Sequence, residues 1–96
     1  MKRVKKDICG YYYAEVTKEE VKKWGGLGIC DSCGYPIFNK SSKGYLIWVL
    51  SGCWCEECFI DWQKRNISYE EDLKLQKRHS KEYYQHYLGK EIEFDE

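Results

Sequence analysis

Two C-x2-C pairs, Cys30-Asp-Ser-Cys33 and Cys55-Glu-Glu-Cys58, stand 21 residues apart in a chain of 96. A C-x2-C turn points both thiolates at one spot. Two such turns supply four sulfurs in a tetrahedron, the arrangement Zn²⁺ takes at about 2.3 Å per Zn–S bond. The spacing therefore predicts one Zn²⁺ held by Cys30, Cys33, Cys55 and Cys58. Four thiolates close the metal's shell, whereas a catalytic zinc keeps an open position for water. The expected zinc is thus structural, standing in for the core that a segment of about 30 residues cannot build alone.

The competing uses of six cysteines are weaker. A basic start (Lys2, Arg3, Lys5, Lys6) is followed by no apolar stretch of a secretory signal. The expected compartment is therefore the cytoplasm, where thiols stay reduced and paired disulfides are rare. A thioredoxin-type redox motif needs a βαβ pattern beside one C-x2-C, and none is present. Cys9 and Cys53 remain, and both are read as small buried hydrophobes. Cys53 lies two residues from Cys55, so a slipped register would make it a ligand. The longest apolar run, Tyr45 to Leu50, is far short of the roughly 20 residues of a membrane span.

At 11.6 kDa the chain has room for one domain, read in five stretches. Residues 1–7 are a basic leader expected to fray. In 8–26, three consecutive tyrosines (Tyr11, Tyr12, Tyr13) mark an extended segment. Thr17-Lys-Glu-Glu20 then forms a capping box, with Val16 and Val21 as its hydrophobic staple. A short helix from Lys18 to Trp24 should end at Gly25-Gly26. Residues 27–66 hold the first knuckle, and Tyr35 to Phe38 is expected to pair with Tyr45 to Leu50 as a hairpin, with Ser51-Gly52 breaking the second strand. A helix from about Cys55 to Asn66 follows, with Phe59 and Trp62 on one face. Within 67–89, Ser68-Tyr-Glu-Glu71 reads as a second capping box for a long helix to Leu88, stopped by Gly89. Residues 90–96 are an acidic tail expected to be loose.

A knuckle, a hairpin and a helix whose first turn carries the last two ligands resemble the treble-clef class of zinc fingers over about residues 27–66. The resemblance implies an α+β fold around one structural zinc. A zinc ribbon would place the second pair on another hairpin, but Phe59 to Asn66 reads helical. Rubredoxin-like iron sites carry a glycine after both pairs, and here only Cys33 has one, Gly34. LIM modules mix in His or Asp and bind two metals. HNH-type nucleases need a histidine inside the ββα unit, whereas His79 and His86 fall on the last helix.

No Ser-His-Asp order, phosphate-cradling glycine loop or H-E-x-x-H motif is present. The chain is therefore not expected to be an enzyme. Lys and Arg number 16, as do Asp and Glu, so no strong basic field exists. The charge is nonetheless divided: residues 1–28 carry +3, 29–66 zero and 67–96 −3. Nine Tyr and four Trp suit a protein interface, and the expected role is binding a protein partner, self-association included. The first alternative is DNA or RNA binding through Lys74, Lys77, Arg78 and Lys81, which fall at i, i+3, i+4 and i+7 on the last helix. Exposed rings such as Tyr35 and Tyr45 would stack on bases. Opposite the basic stripe lie Tyr69, Leu73, Tyr83 and Tyr87, which would face the body of the protein; with Gln76 and Ser80 they form a half-polar stripe that can pack on its own domain, on a second copy or on a partner. The second alternative is an inhibitor of a nucleic-acid enzyme, in the style of phage and mobile-element accessory proteins.

Overall fold

The computed structural model describes residues 2–39 and 41–94. Met1 of the leader, Lys40 of the central turn and Asp95 and Glu96 of the tail lie outside the described residues. The chain forms a small α+β structure around a five-stranded sheet. In chain order the elements are β1 (Lys2–Lys6), β2 (Tyr12–Val16), α1 (Lys18–Lys23), β3 (Gly44–Ile47), β4 (Gly52–Cys55), α2 (Glu56–Arg65), α3 (Glu70–Leu88) and β5 (Ile92–Phe94). Strand order across the sheet is β4-β3-β2-β1-β5. All pairings are antiparallel except that of β1 with β5.

Strand periodicity gives the sheet two different faces. Tyr12, Ala14 and Val16 of β2 join Val4 and Leu46 in one cluster, which Val21 of α1 and Tyr84 of α3 complete. Tyr45 and Ile47 point the other way and meet Phe59 of α2. There the Tyr45 and Phe59 rings stack at 4.1 Å and 9°, with Tyr13 at 4.7 Å from Phe59.

Local signals placed α1 well. Thr17 accepts from the Glu20 N–H and Glu20 reaches back to the Thr17 N–H. Both staple valines, Val16 and Val21, are buried in one cluster. Gly89 ends α3 with φ 94°, and its N–H bonds to the Gln85 carbonyl.

Four expectations are corrected. Lys2–Lys6 is a strand, not a frayed leader, because Val4 is wholly buried in the core. Residues 92–94 of the acidic tail form β5 against it, where Phe94 meets Tyr12 edge-on at 5.0 Å. The basic and acidic ends therefore lie side by side, with Arg3 3.4 Å from Glu93. The hairpin is β3 with β4, not Tyr35–Phe38 with Tyr45–Leu50. Pro36 offers no N–H, so that segment makes one bridge, Ile29 to Pro36, then a 3₁₀ turn at Ile37–Asn39. Ser51, at φ 50°, turns the chain and donates its N–H to the Trp48 carbonyl, so the expected strand break is the hairpin's turn. Finally, no capping box forms at Ser68. Tyr69 is the cap of α3 without a side-chain bond, and its N–H donates to the Tyr11 hydroxyl at 3.1 Å.

The buried stripe of α3 is centred on Gln76, Ser80 and Tyr84. Tyr83 and Tyr87 are half-buried flanks, and Tyr69 is exposed. Gln76 acts as a piece of backbone: its Oε1 accepts the Tyr12 N–H at 2.6 Å and its Nε2 donates to the Gly10 carbonyl at 2.9 Å. The Tyr84 hydroxyl donates to the Tyr12 carbonyl at 2.8 Å, lies 3.2 Å from the Leu46 carbonyl, and accepts the Trp48 N–H at 3.0 Å. One phenol thus closes the ladder where β2 and β3 part, and burial keeps it protonated.

Tyr84→Phe should therefore cost about 1–3 kcal/mol, the penalty for orphaning buried backbone groups. That is a fall of at least about 5 °C in Tm for a chain of this size. Tyr83→Phe beside it should change the thermal melt little, and equal melts for the two variants would refute this role for the Tyr84 hydroxyl.

Candidate metal centre

The first pair sits in a tight turn built by the backbone. The Cys30 N–H bonds to the Tyr35 carbonyl and the Gly34 N–H to the Cys30 carbonyl, at 2.8 and 2.9 Å. Gly34 takes φ +76°, a conformation that suits glycine. The second pair is carried by the hairpin and the helix after it. Cys55 ends β4 and caps α2, and Cys58 lies in the first helical turn.

Asp31 ties the two halves together. Its N–H donates to the Cys53 carbonyl at 3.1 Å, and its Oδ2 accepts the Cys53 N–H at 2.8 Å. The knuckle is thereby clamped to the outer edge of β4, two residues before Cys55. The clamp needs glycine at position 52, because a Cβ there would collide with the Asp31 carboxylate.

The result is a group of four sulfurs, from Cys30, Cys33, Cys55 and Cys58, all within 4.8 Å of one another. Tetrahedral bonds of about 2.3 Å to a common ion place sulfurs about 3.8 Å apart, and the Cys33 and Cys55 sulfurs are 3.9 Å apart. The four cysteines therefore fit one metal ion. Cys30 is buried, Cys55 and Cys58 are half-buried, and Cys33 is exposed.

The electrostatics of the four thiols pull in opposite directions. Burial raises the Cys30 thiol, but N–H groups of Cys33, Cys55 and Ser32 outweigh it and bring the thiol down to about 7. Burial and hydrogen bonding to Cys55, Cys33 and Cys30 push Cys58 up to about 12. Cys55 is raised as well, first by burial. Four thiolates this close repel one another, and a shared divalent cation removes that conflict.

Cys53 and Cys9 lie outside the group of four. Cys53 packs against the Tyr84 core, and burial, then Asp31 and Cys30, push its thiol up to about 12. The Cys9 thiol donates to Asn66 Oδ1 at 2.9 Å.

Lys74, Lys77, Arg78 and Lys81 are all exposed along α3. Lys74 makes an ion pair with Glu70 at 3.4 Å, with both side chains largely in solvent. None of the four cations lines the groove beside the cysteines, and α2 and α3 pack on opposite faces of the sheet. His79 and His86 are exposed on the same helix and join no metal-binding group among the described residues. Tyr35 is exposed as expected. Tyr45 is not: it is buried under Phe59 and offers no face to a base.

One feature of the site has no signature in the sequence. A groove of 810 Å³ opens beside the cysteines, between the knuckle and α2. Tyr35, Pro36 and Ile60 line it, with Glu56, Glu57 and Asp61 along the helix. Ser41 donates to Glu56 Oε2 at 2.7 Å, holding the loop against the helix. Tyr35 and Ile60 come from segments far apart in the chain, so no local pattern joins them.

No protein-family model, curated protein or solved structure matches the chain. Among the described residues, no helix is long and apolar enough to cross a membrane.

Two outcomes test the centre. Cys30→Ser or Cys58→Ser should abolish metal binding and broaden the thermal melt, whereas Cys9→Ser should leave both nearly intact. One bound metal by plasma emission and an unchanged melt for Cys58→Ser would make Cys53 or Cys9 a ligand instead. Asp31→Ala should retain the ligands yet weaken metal affinity by about tenfold in competition with a chromogenic chelator, as for other groups that hold ligands in place. An unchanged affinity would show that the clamp is dispensable.

Proposed function

We propose that the chain is a non-enzymatic zinc-binding protein that acts by engaging a protein partner. The four-cysteine group supports one Zn²⁺ on Cys30, Cys33, Cys55 and Cys58. An all-thiolate shell leaves no position for a reacting water, so the metal's role is to hold knuckle, hairpin and helix together. The order of knuckle, β3–β4 hairpin and α2, with Cys55 and Cys58 at the helix start, supports the treble-clef class over a ribbon. A helix in place of a second knuckle also favours zinc over a rubredoxin-like iron.

The observation that carries the partner reading is the groove beside this centre. It brings Tyr35 of the knuckle and Ile60 of α2 to one concave surface with both side chains exposed, and apolar side chains gathered in a concavity are a common feature of binding sites. The same face is acidic, which disfavours phosphate backbones there. The second reading, a DNA- or RNA-binding regulator, rests on the four exposed cations of α3.

Fluorescence anisotropy of the zinc-loaded chain against mixed-sequence DNA and RNA, across a salt series, separates the two. The partner reading expects no binding to either, even at the low-salt end. Steep salt-dependent binding that Lys74→Ala with Arg78→Ala weakens would put the nucleic-acid reading first.

A further inference from the structure

We infer that the groove between the knuckle and α2 receives a partner segment that pairs a bulky apolar residue with an adjacent Lys or Arg. This inference rests on the partner-binding reading above and names the chemistry that the site selects. At 810 Å³ the groove has the volume of a site for a few side chains. Tyr35 is 66% exposed and Ile60 43%, while Ile37 at its floor is buried. An apolar side chain laid between Tyr35 and Ile60 takes both out of water.

Charge chooses what accompanies it. Glu56, Glu57 and Asp61 lie along the groove, and no Lys or Arg lines it among the described residues. Arg65 pairs with Asp61 at 2.9 Å, but both side chains are about two-thirds in solvent, so the pair is weak and open to competition. Four thiolates and one divalent cation add a net charge of about −2 at one end. The exposed Cys33 sulfur lies at that end and keeps lone pairs for an N–H donor. A cationic group beside an apolar anchor meets both halves of this surface, and an acidic or phosphorylated segment is repelled by it.

The other openings do not select an occupant in this way. The groove beneath Tyr83 and Tyr87 also exposes Leu27 and Ile29, but Asp31 is its one charged lining residue among the described residues, and that carboxylate already accepts the Cys53 N–H. The one beside Tyr11 and Trp62 carries both Arg65 and Asp72.

The test is a random dodecapeptide library on phage, sorted against the full zinc-loaded chain. Enriched peptides are then titrated against two variants, Tyr35→Ser with Ile60→Ser, and Glu57→Gln with Asp61→Asn. Metal content and melts confirm that both variants stay folded. The expected result is enrichment of sequences with a large apolar residue next to Lys or Arg. Their affinity should fall about five- to tenfold in the charge variant at low salt and less at high salt, and more than tenfold in the apolar variant. Enrichment of acidic or uncharged sequences, or binding that neither variant weakens, overturns the inference while leaving a partner surface elsewhere. No enrichment together with tight nucleic-acid binding overturns both the inference and the reading beneath it.

Discussion

Four sulfur atoms within 4.8 Å impose the constraint around which the rest is arranged. Cys30 is eased toward the thiolate by backbone N–H groups, but all four are thiolates together only if a cation offsets their charge. Every contact that already holds the knuckle, the end of β4 and the first turn of α2 in relation lowers the entropy cost of bringing the four sulfurs to one ion. The protein meets this with backbone. Asp31 fastens the knuckle to β4, the Gly44–Cys55 pairing fixes where β4 ends, and Phe59 locks α2 onto Tyr45. Gly52 makes the clamp sterically feasible. The cysteine group is therefore an outgrowth of the sheet edge, not a free-standing loop.

The opposite face of the sheet answers a different problem. There α3 brings the polar ends of Gln76 and Tyr84 into the core and turns both onto the backbone. Gln76 satisfies the start of β2, and Tyr84 satisfies the point where β2 and β3 diverge. Buried polar groups of this kind add little net energy, but they permit only one register of helix on sheet. The Trp48 N–H, held by Tyr84, no longer faces a strand partner, and β3 ends there.

How much of this was legible in the sequence depends on the range of each interaction. The cysteine group was legible because C-x2-C spacing is itself the geometry of the turn. Helix α1 was legible because Thr17, Glu20, Val16 and Val21 act within one turn of each other. The ends were not. A lone Val4 among lysines and the alternation of Ile92 and Phe94 gain meaning only when paired across nearly the whole chain. The hairpin was misplaced because Tyr35–Phe38 looks strand-like in isolation. Ser51-Gly52 is a stop or a turn according to whether Gly52–Cys55 folds back onto Gly44–Ile47, and only the structure shows that it does. Along α3 the expected stripe runs through Tyr83 and Tyr87, but Tyr84 is the ring buried in line with Gln76 and Ser80, because the ends of β2 and β3 lie under it. The groove beside the cysteines was invisible for the same reason as β5: its walls are remote in sequence.

The parallel pairing of β1 with β5 sets an order of events during synthesis. Chains emerge N-terminal end first, at a few to some tens of residues per second. Strand β1 is made first but gains its outer neighbour last. Every cysteine of the group of four is synthesised before β5 exists, so assembly of that group and hairpin closure can precede completion of the sheet. In that interval the outer backbone of β1 is an open edge beside a run of lysines, and those charges are the kind that keep such an edge from pairing with another nascent chain.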